Sequence, residues 1–194
     1  MSHYYSEQQE SPLHLHRIYA VIRGRKFSFF SGSGVFSKDK VDFGTAVLAE
    51  YMQIGKEDTV LDLGCGIGVI GKVASTLTPK DITLVDINAR AVQLAKKNIE
   101  GLKHVHVLQS NAFEQLSGKI FHVILLNPPQ SAGRKICFQM IEEAKEHLHK
   151  GGSLQLVARH NKGGEVLSMH MKESFGNVET LCRKGGYRVY KSIL

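Results

Sequence analysis

Cysteine is scarce in this chain of 194 residues: Cys65, Cys137 and Cys182 are odd in number, far apart and without C-x-x-C spacing. A disulfide framework is thereby excluded, and reduced thiols in a cytoplasmic protein are the simplest reading. No apolar run approaches the ~20 residues of a membrane helix. The Glu-, Gln- and His-containing N-terminus has no apolar signal-peptide region, so no membrane partner is expected. Internal repeats and low-complexity tracts are absent. No dense Lys/Arg block stands out, yet the formal charge is +7 and the pI about 9.3. A dispersed basic excess favours a polyanionic partner, RNA first, although solubility alone would be served by the same charge. What is present suits one globular domain with a full core: 42% hydrophobic and 22% charged residues.

Residues 1–13 are polar and expected to form a flexible N-terminus. Residues 14–34 predict a hairpin, with Ile18 to Ile22 and Lys26 to Phe30 flanking Arg23-Gly24-Arg25. A helical stretch follows from Thr45 to about Gln53. Strands are predicted near 59–63, 81–86, 104–109, 120–126, 153–158, 177–182 and 187–192, and helices near 68–77, 88–100, 133–149 and 162–175. Gly151-Gly152 and Gly163-Gly164 read as element ends. This alternation predicts an α/β fold: a Rossmann-like, doubly wound sheet of about seven strands, with ligands above the strand carboxyl ends. The last two strands are joined by Lys184-Gly185-Gly186, too short for a parallel crossover, so they must pair antiparallel as a terminal hairpin. Residues 14–194 are read as a single domain, the N-terminal hairpin being an extension on a core from 35 to 194.

The most informative stretch is Thr59-Val-Leu-Asp-Leu-Gly-Cys-Gly-Ile-Gly-Val-Ile-Gly71. A buried strand ends in Gly64, Gly66 and Gly68, which permit positive φ and close approach of a ligand. Glycines alone leave an ordinary strand-to-helix turn equally open. Two carboxylates shift the balance. Asp86 ends the next apolar run, 22 residues after Gly64, a spacing that suits a carboxylate on ribose hydroxyls. Asp62 lies two residues before Gly64, where it would repel a dinucleotide pyrophosphate but attract the ammonium and sulfonium of S-adenosylmethionine. The third glycine of a G-x-G-x-x-G pattern would fall at 69, which is Val. Adenosylmethionine is therefore favoured over a nicotinamide dinucleotide.

The second signal is Asn127-Pro128-Pro129, directly after the run Phe121 to Leu126 and on the same rim as Asp62 and Asp86. Two prolines fix φ and remove two amide donors. Asn127 and a proline carbonyl thus offer two acceptors in a stiff frame, able to grip both hydrogens of an –NH2 group. Such a grip favours the pyramidal nitrogen needed for attack on an electrophilic methyl. A plain strand-ending turn is the alternative for these three residues taken alone.

At these residues the chain resembles the class I adenosylmethionine-dependent methyltransferases. Among them it is most similar to the small methyltransferase family of ribosomal RNA small-subunit guanine-N2 enzymes and their short archaeal homologues. The resemblance runs from about Phe27 onward and includes Gly34-Val-Phe-Ser37 with Asp42-Phe-Gly44, Asp62 to Gly68, Asp86-Ile-Asn88, Asn127-Pro-Pro-Gln-Ser-Ala-Gly133 and Lys184-Gly-Gly-Tyr-Arg188. It implies cofactor contacts at Asp62, Gly64, Cys65, Gly66, Gly68, Asp86, Ile87, Asn111, Ala112 and Asn127. It also implies catalysis at Asn127 with Pro128 and Pro129, and S-adenosylhomocysteine as product. Position 111 is Asn where many relatives place Asp, and one hydrogen bond to an adenine amine survives that change. Gln130 stands where DNA-adenine and protein-glutamine enzymes of the N-P-P type carry a stacking aromatic. Its absence points to guanine N2, with Gln130 beside the substrate and Phe43, Phe36 and Tyr187 as candidates for the ring, each of them equally a core aromatic. Arg134 with Lys135, just past the Asn-Pro-Pro turn, reads either as a contact to RNA phosphates beside the pocket or as a solvated helix start.

The pairs His14/His16, His104/His106 and His147/His149 lack a third ligand, so no metal is expected. Cys65 reads as a small buried filler rather than a nucleophile. The expected partner is RNA, ribosomal or in a ribosomal particle, with monomer and dimer both open. Rival readings are a protein glutamine-amide methyltransferase, a non-catalytic RNA-binding protein on the same fold, and a nicotinamide-dependent oxidoreductase.

Overall fold

The computed structural model describes residues 13–129 and 133–194. The N-terminal tail expected over 1–13 falls outside these except for Leu13, and Gln130 falls outside them too.

Strands β1 (His16–Ile22) and β2 (Arg25–Ser31) form a separate antiparallel ribbon in full register from His16↔Ser31 to Ile22↔Arg25. Their two-residue turn has φ of 51° at Arg23 and 72° at Gly24, the left-handed pair that matches the strand twist. Arg23 tolerates that φ because its main-chain N–H donates to Glu50 Oε2 and its guanidinium to the carbonyls of Glu50 and Met52. Helix α1 (Phe43–Tyr51) thereby anchors the ribbon tip.

The main sheet is built from β3 (Val60–Leu63), β4 (Ile82–Asp86), β5 (Val105–Gln109), β6 (Phe121–Leu126), β7 (Leu148–Arg159), β8 (Glu179–Lys184) and β9 (Tyr187–Ile193). Their spatial order is β5-β4-β3-β6-β7-β9-β8, with only β9 reversed, as the short final turn required. Helices α2 (Val69–Ala74), α3 (Ala89–Asn98), α4 (Arg134–Ala144) and α5 (Gly164–Phe175) join the strands. Successive strand residues alternate between two cores: Val60, Leu84 and Leu125 face α1 to α3, whereas Leu61, Val85 and Leu126 face α4 and α5. Those side chains are almost wholly buried. Each contributes roughly 1.5–3 kcal/mol, which makes β3, β4 and β6 a rigid platform for the loops above them.

Buried Asn98 joins ribbon, helix and glycine loop. It accepts from Phe30 N at 2.6 Å and donates to the carbonyls of Phe30 and Ile67, both at 2.9 Å. Two boundaries depart from sequence expectation by more than two residues. The helix predicted over 133–149 stops at Ala144, and after a short turn β7 begins at Leu148 and runs straight through Gly151-Gly152. That pair marks a bulge, where a Cβ on Gly152 would stand 2.9 Å from the carbonyl oxygens of His122 and His149. Helix α2 also ends early, at Ala74 rather than 77.

Candidate active site

The strand order reverses between β3 and β6, where the chain leaves to build β4 and β5 and returns. Leu63 pairs with Val85 on one side and with Leu126 on the other. The next residues, Gly64, Asp86 and Asn127, therefore emerge side by side at the switch point, although 63 positions separate the first from the last. Above them lies a cavity of about 450 Å³, walled by the glycine loop, Asp86 to Asn88, Ser110 to Ala112, Asn127 to Pro129, residues of the 36–45 segment and one side of α4 from Ile136 to Glu143.

Gly64, Gly66 and Gly68 all have positive φ, so the loop arches over the end of β3. A Cβ on Gly64 or Gly66 would meet nothing within 4 Å, which leaves an open cradle on the cavity side. Two glycines further on the reason differs: a Cβ on Gly71 would come within 2.6 Å of Leu84, so this glycine lets α2 lie directly on β4. Asp62 does not line the cavity. It is 1% exposed beneath the loop, where Oδ2 accepts from Gly71 N at 2.9 Å. Burial pushes its carboxyl up to about 7, against the Gly71 hydrogen bond and with help from the nearby Asp86 charge. Cys65 is on the wall, its thiol pushed up chiefly by burial and by those two carboxylates. A thiol held neutral in this way is no nucleophile.

Asp86 straddles the loop: Oδ2 accepts from Gly66 N at 2.7 Å and Oδ1 from Asn88 N at 2.9 Å. Its pKa is raised by burial, opposed by these main-chain bonds. Asp86 also lines the cavity, where a carboxylate's acceptor capacity suits hydroxyl groups. Asn88 caps α3 through Arg90 N and Ala91 N and donates to Gly34 O, so the 31–37 loop is drawn to the rim. At the next strand end Asn111 Nδ2 donates to Glu114 Oε1 at 2.7 Å. Its Oδ1 is thereby left as the acceptor, the same capability an aspartate would supply. Ala112 beside it has φ 45°, a left-handed conformation rare outside glycine and common at ligand sites.

Asn127 also lines the cavity. Its Nδ2 donates to Thr45 Oγ1 at 2.9 Å and lies 3.3 Å from Asp42 Oδ2, while Oδ1 has no partner among the described residues. Of the aromatics considered for stacking, Phe36 is on the wall and 42% exposed. Phe43 is 47% exposed but packs edge-on against Tyr187, off the wall. Arg134 opens α4 and is exposed away from the wall, whereas Ile136, Gln139 and Glu143 of that helix line it. The sequence reading gave no role to Asp42 or Thr45. The motif Asp42-Phe-Gly44 carried part of the family resemblance, and it was the only signal that could have found them.

The pattern of the methyltransferase small domain matches residues 26–191. The Bacillus subtilis protein YbxB is 36% identical over 195 aligned residues, covering 98% of this chain and 97% of its own. Ribosomal RNA small subunit methyltransferase C of Cronobacter sakazakii is 34% identical over 83% of this chain, which spans 48% of that enzyme. In structure, the T. thermophilus 16S rRNA N2 methyltransferase RsmC, solved in complex with AdoMet and guanosine, superposes with a TM-score of 0.79. Its identity is 25%, over 94% of this chain and 51% of that one. The chain thus spans about half the length of the methyltransferase C relatives and nearly all of YbxB.

Proposed function

The chain belongs to the methyltransferase small-domain family, and from that premise we propose that it is an S-adenosylmethionine-dependent N-methyltransferase acting on the exocyclic N2 amine of a guanine in ribosomal RNA. The observation that carries the proposal is the Asn127 amide on the wall of the switch-point cavity, held by its nitrogen so that its acceptor oxygen has no partner among the described residues. The RNA assignment is supported by the similarity to ribosomal RNA methyltransferases. The ribbon adds an exposed face in which Tyr19, 72% exposed, lies between Arg17 and Lys26.

The residues present fit the cofactor. The cradle at Gly64 and Gly66 leaves open space for a chain, and the cavity lining supports a reading in which Asp86 and Ile87 would hold the ribose and Asn111 and Ala112 the adenine. When bound, S-adenosylmethionine supplies an electrophilic methyl on a sulfonium and leaves as S-adenosylhomocysteine. Asn127 Oδ1 and the Pro128 carbonyl accept the two amine hydrogens and direct the nitrogen lone pair away from the base plane. These acceptors also stabilise the positive charge that grows on the nitrogen, and solvent takes the proton afterwards. Asp62, beneath the loop, adds negative charge below the cradle that would hold the methionine ammonium.

The test incubates the purified protein with methyl-labelled cofactor and, separately, ribosomal RNA, intact subunits and a protein fraction from a strain lacking the gene. Label in one N2-methylguanosine, identified by nucleoside mass spectrometry, is the expected result. Label in a glutamine side chain would transfer the reading to protein amides, and RNA binding without label would make the chain a non-catalytic binder.

A further inference from the structure

We propose that Asp42 and Thr45 are positioning residues that lock the Asn127 amide with its oxygen, not its nitrogen, facing the substrate amine; the catalytic side of this inference rests on the function proposed above. The two ends of an asparagine amide are nearly the same size, so a half-turn of the side chain exchanges an acceptor for two donors at the same point. An amide turned the wrong way would present N–H groups to the hydrogens of the amine it must grip. Some feature of the fold has to discriminate between the two orientations.

Asp42 and Thr45 supply it through the direction of their hydrogen bonds. The carboxylate of Asp42 can only accept. Its Oδ2 already receives Thr45 N at 2.9 Å, as the N-cap of α1, and the Thr45 hydroxyl at 3.3 Å. With that hydroxyl proton directed at Asp42, Thr45 Oγ1 turns a lone pair toward Asn127 Nδ2, 2.9 Å away. The polarity therefore runs one way, from the Asn127 N–H through the Thr45 O–H to the carboxylate. Turning the amide over would set Oδ1 against Asp42 Oδ2, 3.3 Å from where Nδ2 now lies, and against a hydroxyl whose proton is engaged. The nearby anion also polarises the amide and enriches its outward oxygen. Gly44 makes the niche possible, since a Cβ there would stand 3.1 Å from Asp42 Oδ2 and 2.9 Å from the Tyr187 ring.

Thr45→Val tests the relay without removing the helix cap, which uses the Thr45 main-chain N–H, and Thr45→Ser keeps the hydroxyl. Water exchange of the Asn127 side-chain NH2 is read by NMR in protein labelled with 15N-asparagine, the signal being assigned by its loss in Asn127→Ala. Exchange should be about three- to tenfold faster in Thr45→Val, the effect of one ordinary hydrogen bond, and return toward the wild-type rate in Thr45→Ser. In parallel, kcat on RNA should fall about tenfold or more in Thr45→Val, with KM and cofactor Kd within about threefold, and recover in Thr45→Ser. Unchanged NH2 exchange in Thr45→Val would overturn the inference, as would freed NH2 groups with undiminished kcat. If wild-type protein transfers no methyl to RNA while Thr45→Val still frees the NH2, the orienting role stands and the substrate assignment falls.

Discussion

Asp62 is a carboxyl group buried under the glycine loop without a counter-cation among the described residues, and Asp62→Asn makes the consequence measurable. Its pKa moves from an ordinary 3.8 to about 7, mainly through burial. The folded state then binds the proton more tightly than the unfolded chain does. Its contribution is complete below pH 4, shrinks as pH rises, and is fully lost above about 7. Each pH step across that window removes ~1.4 kcal/mol, so between pH 5 and 8 wild-type protein should lose roughly 2–3 kcal/mol from this group. That corresponds to ~4–12 °C in Tm for a domain of this size. Asp62→Asn keeps an acceptor for Gly71 N but places an NH2 where an oxygen was, a pH-independent cost of about 1–3 kcal/mol. The informative quantity is therefore the difference in pH slope between the two proteins, from urea titrations at pH 5, 6, 7 and 8; Asp86, also raised by burial, gives both a shared residual slope. Saturating S-adenosylmethionine should flatten the wild-type slope, because its ammonium favours the ionised carboxylate. Parallel slopes for wild type and Asp62→Asn would refute the reasoning.

Asn127→Ala should abolish turnover on RNA while calorimetric affinity for S-adenosylmethionine stays within about threefold, since the glycine loop and Asp86 are untouched; equal losses of both would assign Asn127 a structural role. Gly71→Ala should lower stability by about 1–3 kcal/mol despite the better helix propensity of alanine, because Leu84 is fully buried and has no room to retreat. An unchanged urea midpoint would show that the helix–sheet contact has slack. Tyr19→Ala with Lys26→Gln on the ribbon should weaken RNA binding, lower the salt slope by about 1 for the lost cation, and leave cofactor affinity alone; unaltered RNA affinity would clear the ribbon of a role.

Much of the architecture was legible because it follows from local rules. The near-continuous apolar runs at 59–63 and 120–126 are strands because their side chains meet a core on both faces. The reversal of β9 follows from a turn too short for any other connection. The α4–β7 boundary was misread because Gly151-Gly152 looks like a terminus in one dimension. In the sheet, the close carbonyls of His122 and His149 make it a bulge inside a continuing strand. Phe43 as a stacking ring and Arg134 as a phosphate contact are read from sequence position alone, and neither stands on the cavity wall, since their directions depend on Tyr187 and on the start of α4.

The chain alone determined which segments become strands, helices and tight turns, and that a glycine arch and an Asn-Pro-Pro turn follow two of the strands. Those properties reside in neighbouring φ and ψ angles and in apolar periodicity, which reach only a few residues. Tertiary structure decided that Asp62 turns beneath the arch toward Gly71. It also decided that a helix cap 85 residues upstream of Asn127 dictates which end of its amide looks outward. Such choices rest on hydrogen-bond polarity between groups that share no local sequence, and they exist only once β3 and β6 lie side by side.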